Sequence, residues 1–160
     1  MKVLLLILFF FSGCGLYHNS YKPSILFEKK INSSRKAQII KDNKTVLIAT
    51  ATYLNNVDSS IYNGDREYFL IEVFSELDIP FKEYMHFSLT NNVSFLWIRE
   101  LQTNEDDEIL SSYNKWSKSF LIAFDRLEYQ QKKNMKLTLD VDNVGSMTFD
   151  FTYEILEMKL

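Results

Sequence analysis

Near its end the chain alternates apolar and polar residues with a period of two. In Met135–Val141, Leu137, Leu139 and Val141 alternate with Lys136, Thr138 and Asp140. After a turn at Asp142-Asn143-Val144-Gly145, Met147, Phe149, Phe151, Tyr153 and Ile155 alternate with Thr148, Asp150, Thr152 and Glu154. This period places one set of side chains on one face of a strand; a helix would need apolar residues every three to four positions. Two strands with one apolar face cannot stand alone in water, so other strands must cover them.

The same period recurs upstream. Lys44–Leu54 (KTVLIATATYL) is rich in β-branched residues, and Glu67–Ser75 sets Phe69, Ile71 and Val73 on one face. Phe81–Thr90 and Val93–Leu101 flank Asn91-Asn92, a dipeptide that tolerates positive φ and so suits a tight hairpin. Ser119–Leu127 reads as a central apolar strand, and Ala37–Lys41 adds a short strand before Lys44. Only Asn104–Trp116 resists; it is expected to form a short helix, with Asn104 as cap and Glu105–Glu108 at its positive end. Seven or eight short strands in 160 residues predict a single all-β domain, an immunoglobulin-like β-sandwich with Trp97 in its core. A closed lipocalin-like barrel is the competing architecture. One cysteine allows no internal disulfide, so apolar burial must hold the domain.

The N-terminus has a different character. Lys2 precedes the apolar run VLLLILFFF from Val3 to Phe11, which Ser12, Gly13 and Gly15 then interrupt. A membrane-spanning helix needs about 20 apolar residues, and this run is far shorter. A charged start, an apolar middle and small residues after it form the layout of an export signal.

Phe11-Ser12-Gly13-Cys14 resembles the lipobox of bacterial lipoproteins, in which Leu, Ala or Ser, and Gly or Ala precede Cys; Phe11 stands where Leu is usual. The resemblance implies cleavage after Gly13, a diacylglycerol on the Cys14 sulfur and an acylated new N-terminus. One chain gives only marginal membrane binding and several give stable anchoring, so the modification implies a membrane partner. In Gram-negative lipoproteins an Asp after the cysteine commonly signals inner-membrane retention. Gly15 therefore points to the outer membrane, with the domain facing the periplasm or the cell surface. Ser34–Asn55 is similar to the first strands of small outer-membrane lipoproteins of Campylobacter and Helicobacter relatives, some of which carry a variant immunoglobulin-like sandwich. That similarity covers about an eighth of the chain and contains no catalytic motif. The expected organisation is a signal peptide at 1–13, a lipid anchor and tether at 14–34 and the β-sandwich domain at 35–160.

Charge divides along the chain. Lys22, Lys29, Lys30, Arg35, Lys36, Lys41 and Lys44 face only Glu28 and Asp42, whereas acidic residues outnumber basic ones from Thr45 onward. Anionic headgroups would attract the basic stem, although a solvated linker explains it slightly better. The overall net charge of −3 carries no nucleic-acid footprint.

The residues offer little catalytic chemistry. No nucleophile elbow or phosphate-binding loop is present. His18 lies in the tether, and His86 shares a strand face with Tyr84 and Ser88 without a third member or an oxyanion donor pair. Asp140–Gly145 begins like a calcium loop, but Val144 and Phe151 stand where carboxylates are needed. Glu105-Asp106-Asp107-Glu108 reads as a solvated acidic loop. No enzyme activity, cofactor or metal is expected. Tyr113 and Trp116 stand out because no core strand demands them in that polar segment. They are the candidate partner-binding residues of a lipid-anchored envelope protein with a non-catalytic binding or assembly role. The alternative is a carrier of a small apolar ligand or lipid, held in a pocket of the sandwich or barrel.

Overall fold

The computed structural model describes residues 24–62, 64–77, 80–102, 107–112 and 114–152. Within these residues the protein is all-β. The strands are β1 (Ser34–Lys41), β2 (Lys44–Tyr53), β3 (Arg66–Ser75), β4 (Met85–Leu89), β5 (Val93–Leu101), β6 (Lys118–Asp125), β7 (Lys136–Val141) and β8 (Gly145–Asp150). Helix α1 (Ile25–Asn32) precedes them; α2 (Leu54–Val57), α3 (Phe81–Tyr84) and α4 (Tyr129–Lys133) are turns of helix between strands.

The eight strands form one antiparallel sheet in the order β1-β2-β3-β6-β5-β4-β7-β8. One join is slender: β4 and β5 pair only at Ser88↔Ser94 and Leu89↔Val93. There the sheet folds into a five-stranded layer, β1-β2-β3-β6-β5, facing a three-stranded layer, β4-β7-β8. The far edges meet through side chains: Arg35 Nε of β1 donates to the Asp150 carbonyl of β8 at 2.9 Å, and Ile39 lies against Gly145. The sheet is therefore nearly closed. This arrangement shows the all-β class without singling out the immunoglobulin-like sandwich.

Turn chemistry sets the hairpins. Asp42 and Asn43 join β1 to β2 with φ of 51° and 61°, and Asn91 and Asn92 join β4 to β5 with φ of 64° and 58°. Asx residues tolerate this left-handed region, and the resulting twist matches that of the flanking strands. Asn143 at φ 61° turns β7 into β8, where the Val144 amide donates to the Val141 carbonyl at 3.0 Å. The Asp140–Gly145 segment is thus a hairpin turn.

Alternation supplies the core. Leu47, Ala49 and Ala51 of β2, Phe69, Ile71 and Val73 of β3, and Phe120, Ile122 and Phe124 of β6 meet Phe87 of β4, Leu137 and Leu139 of β7 and Phe149 of β8. Phe69, Phe120, Phe124 and Phe149 are fully buried, and each contributes about 1.5–3 kcal/mol by leaving water. Trp97, expected in this core, lies outside it. With Leu70, Leu101 and Leu121 it belongs to a second cluster on the outer face of β3, β6 and β5, covered by Leu54, Val57, Tyr62, Ile109 and Leu110. A bulge in the β5–β6 pairing between Phe95 and Trp97 shifts the register there.

The segment read as tether contains α1. Ser24 caps it by accepting from the Phe27 amide at 3.1 Å. The helix is tied to the outer layer: Ser34 Oγ donates to the Lys30 carbonyl at 2.6 Å and shares a 2.7 Å hydrogen bond with buried Thr52. Asp107–Leu110, where a helix was expected, is a turn in which the Leu110 and Ser111 amides both donate to the Asp107 carbonyl. Residues 103–106 and 113 lie outside the described residues.

Candidate functional site

Cys14 and Tyr113 lie outside the described residues; Trp116 is described and is 72% exposed. Its backbone is fixed rather than its ring: the Trp116 amide donates to Asn114 Oδ1 at 3.0 Å, and the Asn114 amide donates to Ser112 Oγ at 3.2 Å. The Lys115 ammonium stands 5.0 Å from the indole centroid. Asn114 and Ser117, on either side of Trp116 in sequence, line a groove of about 300 Å³ with Lys36, Ile48, Thr50, Glu72 and Phe74. The groove runs over the outer face of β1, β2 and β3, where Ile48 lies opposite Phe74 in the register. The residues flanking an exposed indole thus line a mixed groove in which Ile48 and Phe74 supply the apolar floor and Lys36 and Glu72 the charge.

The same loop is joined to α1. The buried Lys30 Nζ donates to the Ser111 carbonyl at 2.9 Å, and Ser24 Oγ donates to Glu108 Oε1 at 3.0 Å. Burial pushes the Lys30 ammonium below the ordinary lysine range, and nearby Glu72 and Asp107 oppose that shift. These contacts connect the chain leaving the N-terminal segment to the loop that presents Trp116.

A second locus closes one end of the sheet. Glu67 follows the inward alternation of β3, and its carboxylate is wholly buried. Oε2 accepts from Tyr53 Oη at 2.5 Å; Oε1 accepts from the Leu127 amide at 2.9 Å and from Lys132 Nζ at 2.7 Å. Three donors, one of them charged, make a buried carboxylate tolerable. Beside this network lies a cleft of about 420 Å³, whose walls include Tyr53, Asn56, Tyr62, Tyr129, Lys133 and Met135. Sequence reasoning passed over Glu67. The signal was present: alternation that points Phe69, Ile71 and Val73 inward points Glu67 inward as well.

His86 pairs with Asp142, Nε2 to Oδ2 at 3.2 Å, across two exposed side chains. Among the described residues its hydrogen bond is to Asp142 and not to Ser88. Among the described residues no group of three His, Cys, Asp or Glu side chains is placed to hold a metal ion. Among those residues, too, no helix is long and apolar enough to cross a membrane. Ser119 Oγ is buried without a hydrogen-bond partner, and nothing in the structure explains it. Comparison with protein-family models, with curated proteins and with solved structures finds no match.

Proposed function

We propose that this chain is a lipid-anchored protein of the bacterial envelope, held at the outer membrane through Cys14, and that its β-domain is a non-catalytic module that binds a protein partner. The domain faces the periplasm or the cell surface. The single observation that carries the binding role is the 72% exposure of Trp116 in a loop whose backbone is hydrogen-bonded in place. Tryptophan is the residue most often found at the energetic centre of interfaces, and a fixed backbone lowers the ordering cost of binding. The neighbouring groove over Ile48 and Phe74 supplies apolar area for the same partner. The immunoglobulin-like relation is part of this reading: two facing layers are packed inside, and contacts are made by loops and outer faces. Tyr113, three positions before Trp116 in sequence, is proposed as a second contact.

The alternative, a carrier of a small apolar molecule, would place its ligand between the layers, where Phe69, Phe120, Phe124 and Phe149 now meet. Stoichiometric lipid in the purified protein would favour it.

Cross-linking in native envelopes, followed by capture of the protein and mass spectrometry, tests the binding role. The wild type is expected to give one discrete heavier species. Trp116→Ala reduces it by about tenfold or more, because a central tryptophan commonly contributes 2 kcal/mol or more. An unchanged species in Trp116→Ala and Tyr113→Ala would contradict the proposal.

A further inference from the structure

The cleft at the Glu67 end has a chemistry that the partner-binding role does not use. Its walls divide into two kinds. Tyr62, Tyr129 and Met135 supply apolar surface, and Lys132 and Lys133 supply positive charge. No aspartate or glutamate is among the described residues that line it. Two neighbouring carboxylates are already committed. Glu67 lies behind the wall, held by Tyr53, Leu127 and Lys132. Asp58 is turned into its own loop by the Ser60 amide at 2.9 Å and the Ser60 hydroxyl at 2.6 Å.

The two lysines are held differently. Lys132 offsets the buried Glu67 charge and is one-third exposed. An ammonium carries three donors, and Glu67 Oε1 takes one of them. The Lys133 ammonium lies 4.8 Å from the Tyr129 ring centroid, and among the described residues no carboxylate pairs with it. Tyr129 itself is 65% exposed, far more than a core aromatic. With Glu67 and Lys132 cancelling, Lys133 is the remaining charged residue of the lining, beside an exposed aromatic face. Arg126 adds to this sign, its guanidinium lying within 4 Å of where a Gly64 side chain would start. A volume of about 420 Å³ falls in the range of small-ligand sites, which pair apolar walls with a few polar groups.

We propose that this cleft binds a small amphipathic organic anion, with its carboxylate or phosphate against Lys133 and Lys132 and its apolar body between Tyr62 and Tyr129 over Met135. Asn56 and Ser59 border the site and favour a ligand with a polar rim. The site is separate from Trp116 and does not depend on the partner-binding reading.

The test uses purified full-length protein in detergent and saturation-transfer NMR, with empty micelles as the blank. Phenyl phosphate is the probe; phenol and inorganic phosphate are its two halves, the phosphate, which has no carbon-bound protons, being read by its displacement of the probe. The site requires phenyl phosphate to saturate one site per chain and each half to bind about tenfold more weakly, since each lacks one of the two contacts. Lys133→Ala and Tyr129→Ala should each weaken phenyl phosphate by about fivefold or more, a loss typical of a partly exposed charge or ring contact. Trp116→Ala should leave it unchanged. Both cleft variants are at partly or fully exposed positions, and a wild-type denaturation midpoint confirms their fold; if one fails to fold, the other decides. Equal binding of the probe and phenol, or wild-type affinity in the folded cleft variants, would overturn the proposal.

Discussion

Glu67 carries the largest electrostatic risk in the described structure. A carboxylate with no exposure is stable only while its charge is matched, and Lys132 supplies the match from α4, an element remote in sequence. Removing the partner is costlier than removing the pair. Lys132→Met is expected to destabilise the fold by about 3–5 kcal/mol, whereas Glu67→Gln combined with Lys132→Met should recover much of that loss. Urea denaturation of the two single variants and the double variant checks this; additive losses would show that the pair is not coupled. Lys30 presents the opposite case, a buried ammonium whose burial makes the charged form less favourable in the folded than in the unfolded chain. Between its lowered folded value and the ordinary lysine value the unfolded chain binds more protons, so stability rises with pH across that window. Measured against Lys30→Met, the wild type should gain relative stability as pH climbs toward the ordinary lysine range. A flat difference would mean that the amine is not desolvated. Neither residue was legible as buried from its type, because Lys and Glu are read as solvent-facing unless paired, and their partners arrive from distant segments.

At the scale of elements, alternation gave good guidance. β5 runs over Val93–Leu101 as its pattern predicts, and β2, β3, β6 and β7 differ from expectation by one or two residues at their ends. The inward sets Phe69-Ile71-Val73, Leu137-Leu139-Val141 and Met147-Phe149-Phe151 are all buried. Two elements escaped for physical reasons. The stretch Phe81–Thr90 begins as a helical turn, α3, because Pro80 starts it and the Glu83 amide donates to the Pro80 carbonyl at 3.0 Å. Helix α1 has no clean apolar stripe; it buries Lys30 and leaves Ile25 and Ile31 exposed, so periodicity does not reveal it. The closure between β1 and β8 was also invisible, since it rests on side chains and one backbone conformation. Gly145 has φ of 146°, and a Cβ there would stand 3.2 Å from Ile39 Cγ2. Gly145→Ala should therefore cost about 1–3 kcal/mol, a typical range for a strained backbone conformation. At Gly64 an added Cβ meets nothing closer than 3.9 Å, so Gly64→Ala should change the denaturation midpoint little. Equal midpoints for the two variants would mean that the closure does not depend on Gly145.

On the proposed reading the whole molecule joins an attachment point to a domain with a well-filled core. Ser24, the cap of α1, lies ten positions after Cys14, which allows a reach of at most about 35 Å when fully extended. On the proposed reading the domain stays within that distance of the bilayer, with α1 bonded to the loop that presents Trp116. The proposed anchor rests on sequence alone, a short local pattern of the kind that processing enzymes read, and lies outside the described residues. The proposed binding surface is only half legible in the sequence: Trp116 is marked by its odd placement in a polar loop, while the groove beside it is assembled from three strands and appears only on folding. The cleft at the Glu67 end is the same kind of feature, built from β2, α4 and the loop between α2 and β3. Anchor and domain are linked in one account by a single sulfur atom, and metabolic labelling with alkynyl palmitate, read together with membrane fractionation of the wild type and Cys14→Ser, tests it most directly. The account predicts label in the wild-type band and a Cys14→Ser protein that is unlabelled and lost from the outer-membrane fraction. A wild type that takes up no label, with Cys14→Ser in the same fraction as wild type, would contradict it.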